Sequence, residues 1–78
     1  MKHIQAVAEY RERKRVRRIQ ERLNHFGAKL LLSGLFDRPT RDALGSFQRR
    51  SGLPVTRRLN RQTLDLLFRQ VKRETVTA

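Results

Sequence analysis

Seventy-eight residues without a cysteine make one small domain that has neither disulfides nor thiolate zinc sites, so it has to fold on apolar packing alone. The formal net charge of +12, from 19 Lys and Arg residues against 7 Asp and Glu residues, indicates anionic surroundings such as nucleic acid, wall polymers or acidic lipid. No apolar run approaches the roughly 20 residues that span a bilayer, and residues 1–10 lack the apolar core of a signal peptide.

The first predicted element is a long helix that ends near Gly27. Its apolar residues recur at spacings of three and four, which places Val16, Ile19 and Leu23 on one face. Gly27 suits the left-handed conformation that ends many helices. Residues 1–15 are compatible with a helix but are highly charged and poor in apolar side chains, so they are predicted to form a charged helical extension.

A cationic strip crosses the end of this extension, with six cations in nine residues. The strip consists of Arg11, Arg13, Lys14, Arg15, Arg17 and Arg18. One interpretation is a solvated helix face that keeps the protein soluble. The other is a surface that grips anionic groups such as phosphates without reading bases.

A connector and a second helix follow. The apolar run of residues 30–32 predicts a buried connector over residues 28–36. The second helix is predicted from about Arg38 to Ser51, and Gly52 ends it.

Residues 53–56 are predicted to be extended, because Pro54 supplies no donor and disfavours a helix before it. The third helix is predicted to run from Asn60 to about Val71. Residues 73–78 are predicted to be a loose tail.

The second and third helices begin with the same motif. Residues 34–44 are echoed by residues 57–67, and each copy has an apolar residue, Asp or Asn, two further residues and Thr. Asp37 and Asn60, 23 positions apart, are therefore predicted to be N-caps. Their side-chain oxygens would accept the unpaired N–H groups of a helix start.

The apolar faces of three helices predict one shared core. The expected fold is therefore all-α, a compact three-helix bundle over residues 16–72 with the N-terminal helical extension. The predicted core residues are Val16, Ile19, Leu23, Phe26, Ala43, Leu44, Phe47, Leu64, Leu67 and Phe68.

The sequence shows no cluster of residues suited to catalysis. His3 and His25 have no cysteine near them and no grouped ligands, so no metal site is predicted. Glycoside hydrolysis needs two carboxylates facing each other across a cleft, whereas the seven acids are scattered among arginines. The chain is therefore predicted to be no enzyme, with no catalytic residue and no cofactor.

The ordered motifs between Val16 and Phe68 resemble those of the peptidoglycan-binding-like domain family. The similar residues are the helix of residues 16–27 with its closing Gly, Gly34-Leu35-Phe36 with Thr40, Ala43, Leu44, Phe47 and Gln48, and Leu53-Pro54-Val55-Thr56 with Leu59, Asn60, Thr63 and Leu64. The resemblance implies a three-helix domain that binds bacterial peptidoglycan without cleaving it. It also implies a partner, such as a wall hydrolase or a lysis or delivery machinery.

Ligand contacts are predicted near the two repeated helix starts, where backbone N–H groups favour anions. The candidate residues are Phe36, Thr40, Arg41, Gln48, Arg57 and Arg58. Phe36 is alternatively a core residue, and Gln20 and Gln48 alternatively tie helices together by hydrogen bonds. The family often has Gly where Arg57 stands, which implies a turn with positive φ that is unfavourable for a residue with a side chain.

Two other functions fit the sequence. The charge and the strip suit a three-helix domain that binds the phosphate backbone of nucleic acid, although residues 51–59 exceed the turn of a helix-turn-helix. A protein-interaction module that has kept the fold and lost the wall ligand is the other. The expected location is the cell envelope for a fragment or a protein released by lysis, and otherwise the cytoplasm, because no signal peptide is visible.

Overall fold

The computed structural model describes the backbone of residues 2–77 and the side chains of residues 10–69. Its three helices are α1 (Lys2–His25), α2 (Arg38–Arg50) and α3 (Arg61–Thr77). No strand occurs between residues 2 and 77, so the predicted all-α three-helix architecture is confirmed.

The N-terminal ends of α2 and α3 are capped as the repeated motif predicts. Asp37 Oδ1 accepts hydrogen bonds from the Thr40 N–H at 3.1 Å and from the Thr40 hydroxyl at 2.6 Å. Asn60 Oδ1 accepts the same pair from Thr63, at 2.9 Å and 2.6 Å. The two bonds from Thr40 hold the pKa of the Asp37 carboxyl below its ordinary value of 3.8.

The core draws on all three helices. Ile19, Leu23, Leu44, Phe47 and Leu67 form one cluster in which no side chain is more than 4% exposed. The other predicted core residues agree with it: Val16 is buried as well, and Phe26, Ala43, Leu64 and Phe68 are half-buried against the cluster.

The connector between α1 and α2 departs from its prediction. Leu30 is half-buried, but Leu31 is 86% exposed, and Leu32 and Leu35 are exposed as well. The reason is that Asn24 fixes the backbone of Leu30 through two hydrogen bonds, of 3.0 Å and 2.7 Å. The backbone of the connector thus lies against α1, while three of its leucines face outwards.

Two predicted boundaries fall within continuous helices. α1 crosses the predicted boundary between residues 15 and 16 without a break. α3 continues to Thr77, through most of the predicted tail of residues 73–78. The side chains after Arg69 and the residue Ala78 lie outside the described residues, so the looseness of this tail stays a prediction.

Candidate functional site

A buried glutamine in α1 fixes the loop that precedes α2. The Gln20 side chain is 0% exposed, and its Nε2 donates to Ser33 Oγ at 3.3 Å, to the Leu35 carbonyl at 3.1 Å and to Thr40 Oγ1 at 2.9 Å. Its Oε1 accepts a bond of 3.0 Å from the Gly34 N–H. We call this set the Gln20 network; it ties α1, the connector and the capped start of α2 together.

A second glutamine repeats the arrangement one helix later. The Gln48 side chain, also 0% exposed, donates from Nε2 to Thr56 Oγ1, the Arg58 carbonyl and Thr63 Oγ1, at 3.0 to 3.1 Å. Its Oε1 accepts bonds from the N–H groups of Thr56 at 3.0 Å and Arg57 at 2.9 Å. This Gln48 network ties α2 to the start of α3.

Each network encloses a turn in which one residue has a positive φ angle. Gly34 and Arg57 occupy equivalent positions, and their φ angles are +77° and +61°. The turn with positive φ implied for position 57 is therefore confirmed, and a side chain with a left-handed backbone occupies it. Arg57 Nη1 lies 3.3 Å from Asp42 Oδ1, an ion pair that stabilises the conformation only weakly because both groups are half exposed.

The predicted ligand residues separate into a buried and an exposed group. Thr40 and Gln48 are 0% exposed and bonded internally, which fits the alternative role of Gln48 in tying helices together and leaves neither side chain an exposed surface for a ligand. Phe36 is half-buried against the core. Arg41, which donates to the Phe36 carbonyl at 3.2 Å, is exposed, as are Arg57 and Arg58.

A groove of about 370 Å³ lies between α1 and α3. The described residues that line it are four cations of the strip and three apolar residues: Arg11, Lys14, Arg15, Arg18, Ile19, Leu64 and Phe68. We call it the cationic groove. The spacing of the four cations, i, i+3, i+4 and i+7, places them on one face of α1, so their charges converge on the apolar floor.

The other two cations of the strip lie on a different face of α1. A Cβ atom added to Gly34 would come within 2.8 Å of the Arg13 carbonyl oxygen, which shows that the connector runs along this side. Arg17 follows Arg13 by one helical turn and precedes Gln20 by three residues, so it shares the connector face. The six cations therefore form two surfaces and not one strip.

The floor of the cationic groove was missed as a functional feature in the sequence. Leu64 and Phe68 were predicted only as core residues, yet both are half-buried and line the groove. The available signal was the spacing of the four cations, which repeats the spacing of an apolar helix face.

A second groove of about 310 Å³ opens beside Phe68. Arg22 lines it and is held by a 2.9 Å bond from Nε to the Leu67 carbonyl. Its guanidinium carbon lies 5.2 Å from the Phe26 ring centroid and 5.9 Å from that of Phe68, within cation–π range. Its buried Nη2 finds no hydrogen-bond partner within the described part of the chain.

A smaller cleft of about 180 Å³ lies between α2 and the loop of residues 53–59, and Asp42, Ser46, Arg49 and Arg57 supply its polar lining. Among the residues whose positions the structure describes, no three His, Cys, Asp or Glu side chains are grouped as metal ligands. Nor is any helix in that part of the chain both long and apolar enough to cross a membrane.

One comparison with known proteins gives a match. A family model described as "Putative peptidoglycan binding domain" matches residues 12–67, which include both glutamine networks and most of the cationic groove. No curated protein and no solved structure matches the chain.

Proposed function

Since the chain belongs to this family of peptidoglycan-binding domains, we propose that it binds bacterial cell-wall peptidoglycan without cleaving it. The match over residues 12–67 is the observation that carries the proposal. The repeated Gln and Thr residues of the matched segment build the two networks that hold the three helices together. This function associates the protein with the cell envelope.

The cationic groove is the surface that we assign to the wall ligand. The stem peptides of peptidoglycan carry free carboxylates, and its sugar rings present apolar faces. Arginine binds a carboxylate through two parallel N–H donors, and an aromatic ring such as Phe68 offers a flat apolar contact. A groove with cations along one side and an apolar floor therefore suits both parts of this ligand.

The exposed arginines at the two repeated helix starts supply a second set of proposed contacts. Arg41, Arg57 and Arg58 remain candidates for carboxylates, together with the partly accessible Phe36. Arg57 also lines the small cleft beside α2. We place these residues second, because the cleft that Arg57 lines has a volume of about 180 Å³, against about 370 Å³ for the cationic groove.

A binding role without hydrolysis is supported by the way two of the carboxylates are used. Asp37 caps α2 and accepts two hydrogen bonds, and Asp42 pairs with Arg57 and at 4.0 Å with Arg38. Neither is positioned opposite a second carboxylate across one of the grooves described above. The domain would act by holding a wall hydrolase or a lysis or delivery machinery at the insoluble polymer, which raises the local concentration of the partner.

Sedimentation with purified sacculi tests the proposal. The sacculi are stripped of anionic wall polymers, so that the charge of +12 alone does not cause binding, and the salt concentration is moderate. We expect the protein to sediment. We expect the double variant Arg11→Gln/Arg15→Gln to bind about tenfold more weakly, because it removes two groove cations.

The matched control is Lys29→Gln/Arg69→Gln, which removes the same charge from exposed positions on the connector and α3 that line none of the grooves described above. We expect its affinity to stay within about twofold of the unmodified protein, because exposed charges far from the ligand act weakly at moderate salt. Failure of the folded protein to sediment would refute wall binding. Equal losses in both double variants would refute the assignment to the groove.

Binding to nucleic acid is the competing function, favoured by the four convergent cations. Random duplex DNA added to the same assay distinguishes the two. Binding to phosphates alone would fall steeply with salt and would be displaced by the DNA, whereas contacts with the apolar floor would persist.

A further inference from the structure

Three leucines of the connector are exposed and line none of the surfaces proposed above for the wall ligand. Leu31 is 86% exposed, Leu35 52% and Leu32 43%, and we call them the leucine patch. Three exposed leucines within five residues are unusual in so polar a chain, whose mean hydropathy is −0.73. Exposed apolar side chains grouped along the chain in this way are typical of an interaction site.

Cations flank the leucine patch. Arg13 and Arg17 lie on the connector face of α1, and Lys29 is exposed two residues before Leu31. The two ion pairs within residues 10–69 both use Asp42 of α2, so none of these three cations is paired to a carboxylate there. The surface thus combines exposed apolar groups with positive charge that no carboxylate of residues 10–69 pairs with.

We propose that the leucine patch is a docking site for an anionic phospholipid bilayer. Leu31 protrudes from a loop, and a protruding side chain gains most from a soft apolar medium that needs no matching pocket. The flanking cations would lie at the level of the acidic headgroups, where each adds to the attraction. Nucleic acid would satisfy the cations but would leave the leucines in water.

A protein partner would have to present a complementary pocket for each leucine, whereas a bilayer takes up protruding apolar groups without one. Both components of the patch, in contrast, match the bilayer interface: apolar groups below the headgroups and cations among them. The proposal does not depend on wall binding, because it concerns a different face of α1.

A single tryptophan placed in the patch tests the proposal directly, because the chain contains no tryptophan. In Leu31→Trp we expect a blue shift of fluorescence on mixing with vesicles of phosphatidylglycerol and phosphatidylcholine, and quenching by lipids brominated in the acyl chain. The matched control is Val55→Trp, at a residue that is 49% exposed on the loop before α3. We expect no shift there.

Vesicle sedimentation gives the energetic test. We expect Leu31→Ser to weaken binding to anionic vesicles about tenfold and Val55→Ser less than twofold. Arg17→Gln should weaken it about fivefold at low salt, and vesicles of phosphatidylcholine alone should bind little. Equal shifts at positions 31 and 55, or equal binding to neutral vesicles, would overturn the proposal. So would a Leu31→Ser variant that binds like the unmodified protein.

Failure of this proposal and failure of wall binding would be distinguishable. Sacculi contain no bilayer, so the Leu31→Ser variant should sediment with them normally. If the protein binds sacculi but neither tryptophan variant shows a blue shift with vesicles, the proposed wall binding stands and only the membrane proposal fails.

Discussion

The Gln20 and Gln48 networks show the same backbone geometry achieved in two ways. Each loop turns through a residue with positive φ close to a helix. In the first loop the glycine is in the loop, since a Cβ on Gly34 would lie 2.8 Å from the Arg13 carbonyl oxygen. In the second the glycine is in the helix: Gly45 leaves room for Arg57, whose Cγ lies only 3.1 Å from the position of a Gly45 Cβ.

Both halves of the fold therefore require the loop to pass close to a helix. The glycine that makes room for this approach can be either in the loop or in the helix. A substitution rule learned from one half of the molecule does not transfer to the other. Four measurements test the difference between the two loops.

The largest effect is expected from removing either glutamine. Gln20→Ala and Gln48→Ala should each lower the free energy of unfolding by about 3 kcal/mol or more, because buried donors and acceptors lose their partners and a cavity remains. Gln48→Ala should be the more harmful, since Gln48 makes five hydrogen bonds and Gln20 four. Urea denaturation measures both.

The control for the two glutamines is Gln62→Ala, the same substitution at an exposed residue in the first turn of α3. It should change the free energy of unfolding by no more than about 0.5 kcal/mol. If all three variants lose similar stability, the networks do not hold the helices together.

The second effect separates the two loops. Gly34→Ala should cost about 2 kcal/mol or more, because it adds a left-handed strain and a collision with the backbone of α1. Arg57→Ala, at the equivalent position, should cost less than about 1 kcal/mol, because it removes only a half-exposed ion pair. Equal costs would mean that the approach of the loops to their helices is not limiting.

The third effect isolates the strain at position 57. Arg57→Gly should be more stable than Arg57→Ala by roughly 1 kcal/mol, because glycine adopts positive φ without steric cost. Thermal and urea denaturation of the two variants measure the difference, which cancels the ion pair lost in both. An alanine variant as stable as the glycine variant would show that the turn relaxes to negative φ.

The smallest expected effect is a difference between the two N-caps in how stability depends on acid pH. Hydrogen bonds from Thr40 lower the pKa of Asp37 in the folded state, so its stabilisation is present above the ordinary value of 3.8 and is lost as the pH falls through the lowered pKa. Asn60 does not titrate. Asp37→Asn should therefore lose less stability than the unmodified protein between pH 5 and about 2.

Urea midpoints measured over that pH range test this prediction. The other carboxylates contribute to both proteins alike, so the difference between them reports Asp37. Parallel profiles would show that the carboxylate is not the acid-sensitive cap.

The sequence predicts those parts of the fold that depend on local chemistry. Asp37 and Asn60 cap helices because their motif is short and self-contained, and Gly27 has the left-handed φ of +105° expected after a helix. The positive φ at Arg57 followed from the resemblance to the family. The apolar pattern predicts ten core residues, of which six are buried, while Phe26, Ala43, Leu64 and Phe68 are half-buried.

What escaped prediction depends on contacts between distant segments. The apolar run of residues 30–32 predicts a buried connector. The hydrogen bonds from Asn24 instead place the backbone of Leu30 against α1. Gln48 could have faced a ligand or the interior, because its sequence position beside the core allows either. The division of the cationic strip required the path of the connector, which short-range spacing does not contain.

Because α1 runs without a break, it holds two proposed binding surfaces at a fixed separation. Its cationic groove and the cations beside the leucine patch lie on different flanks of a single helix, whose diameter with side chains is about 10–12 Å. A glycan strand on one flank and a headgroup layer on the other would therefore be kept about one nanometre apart, with no hinge between them. A protein built in this way would serve as a spacer that joins polymer to lipid at close range.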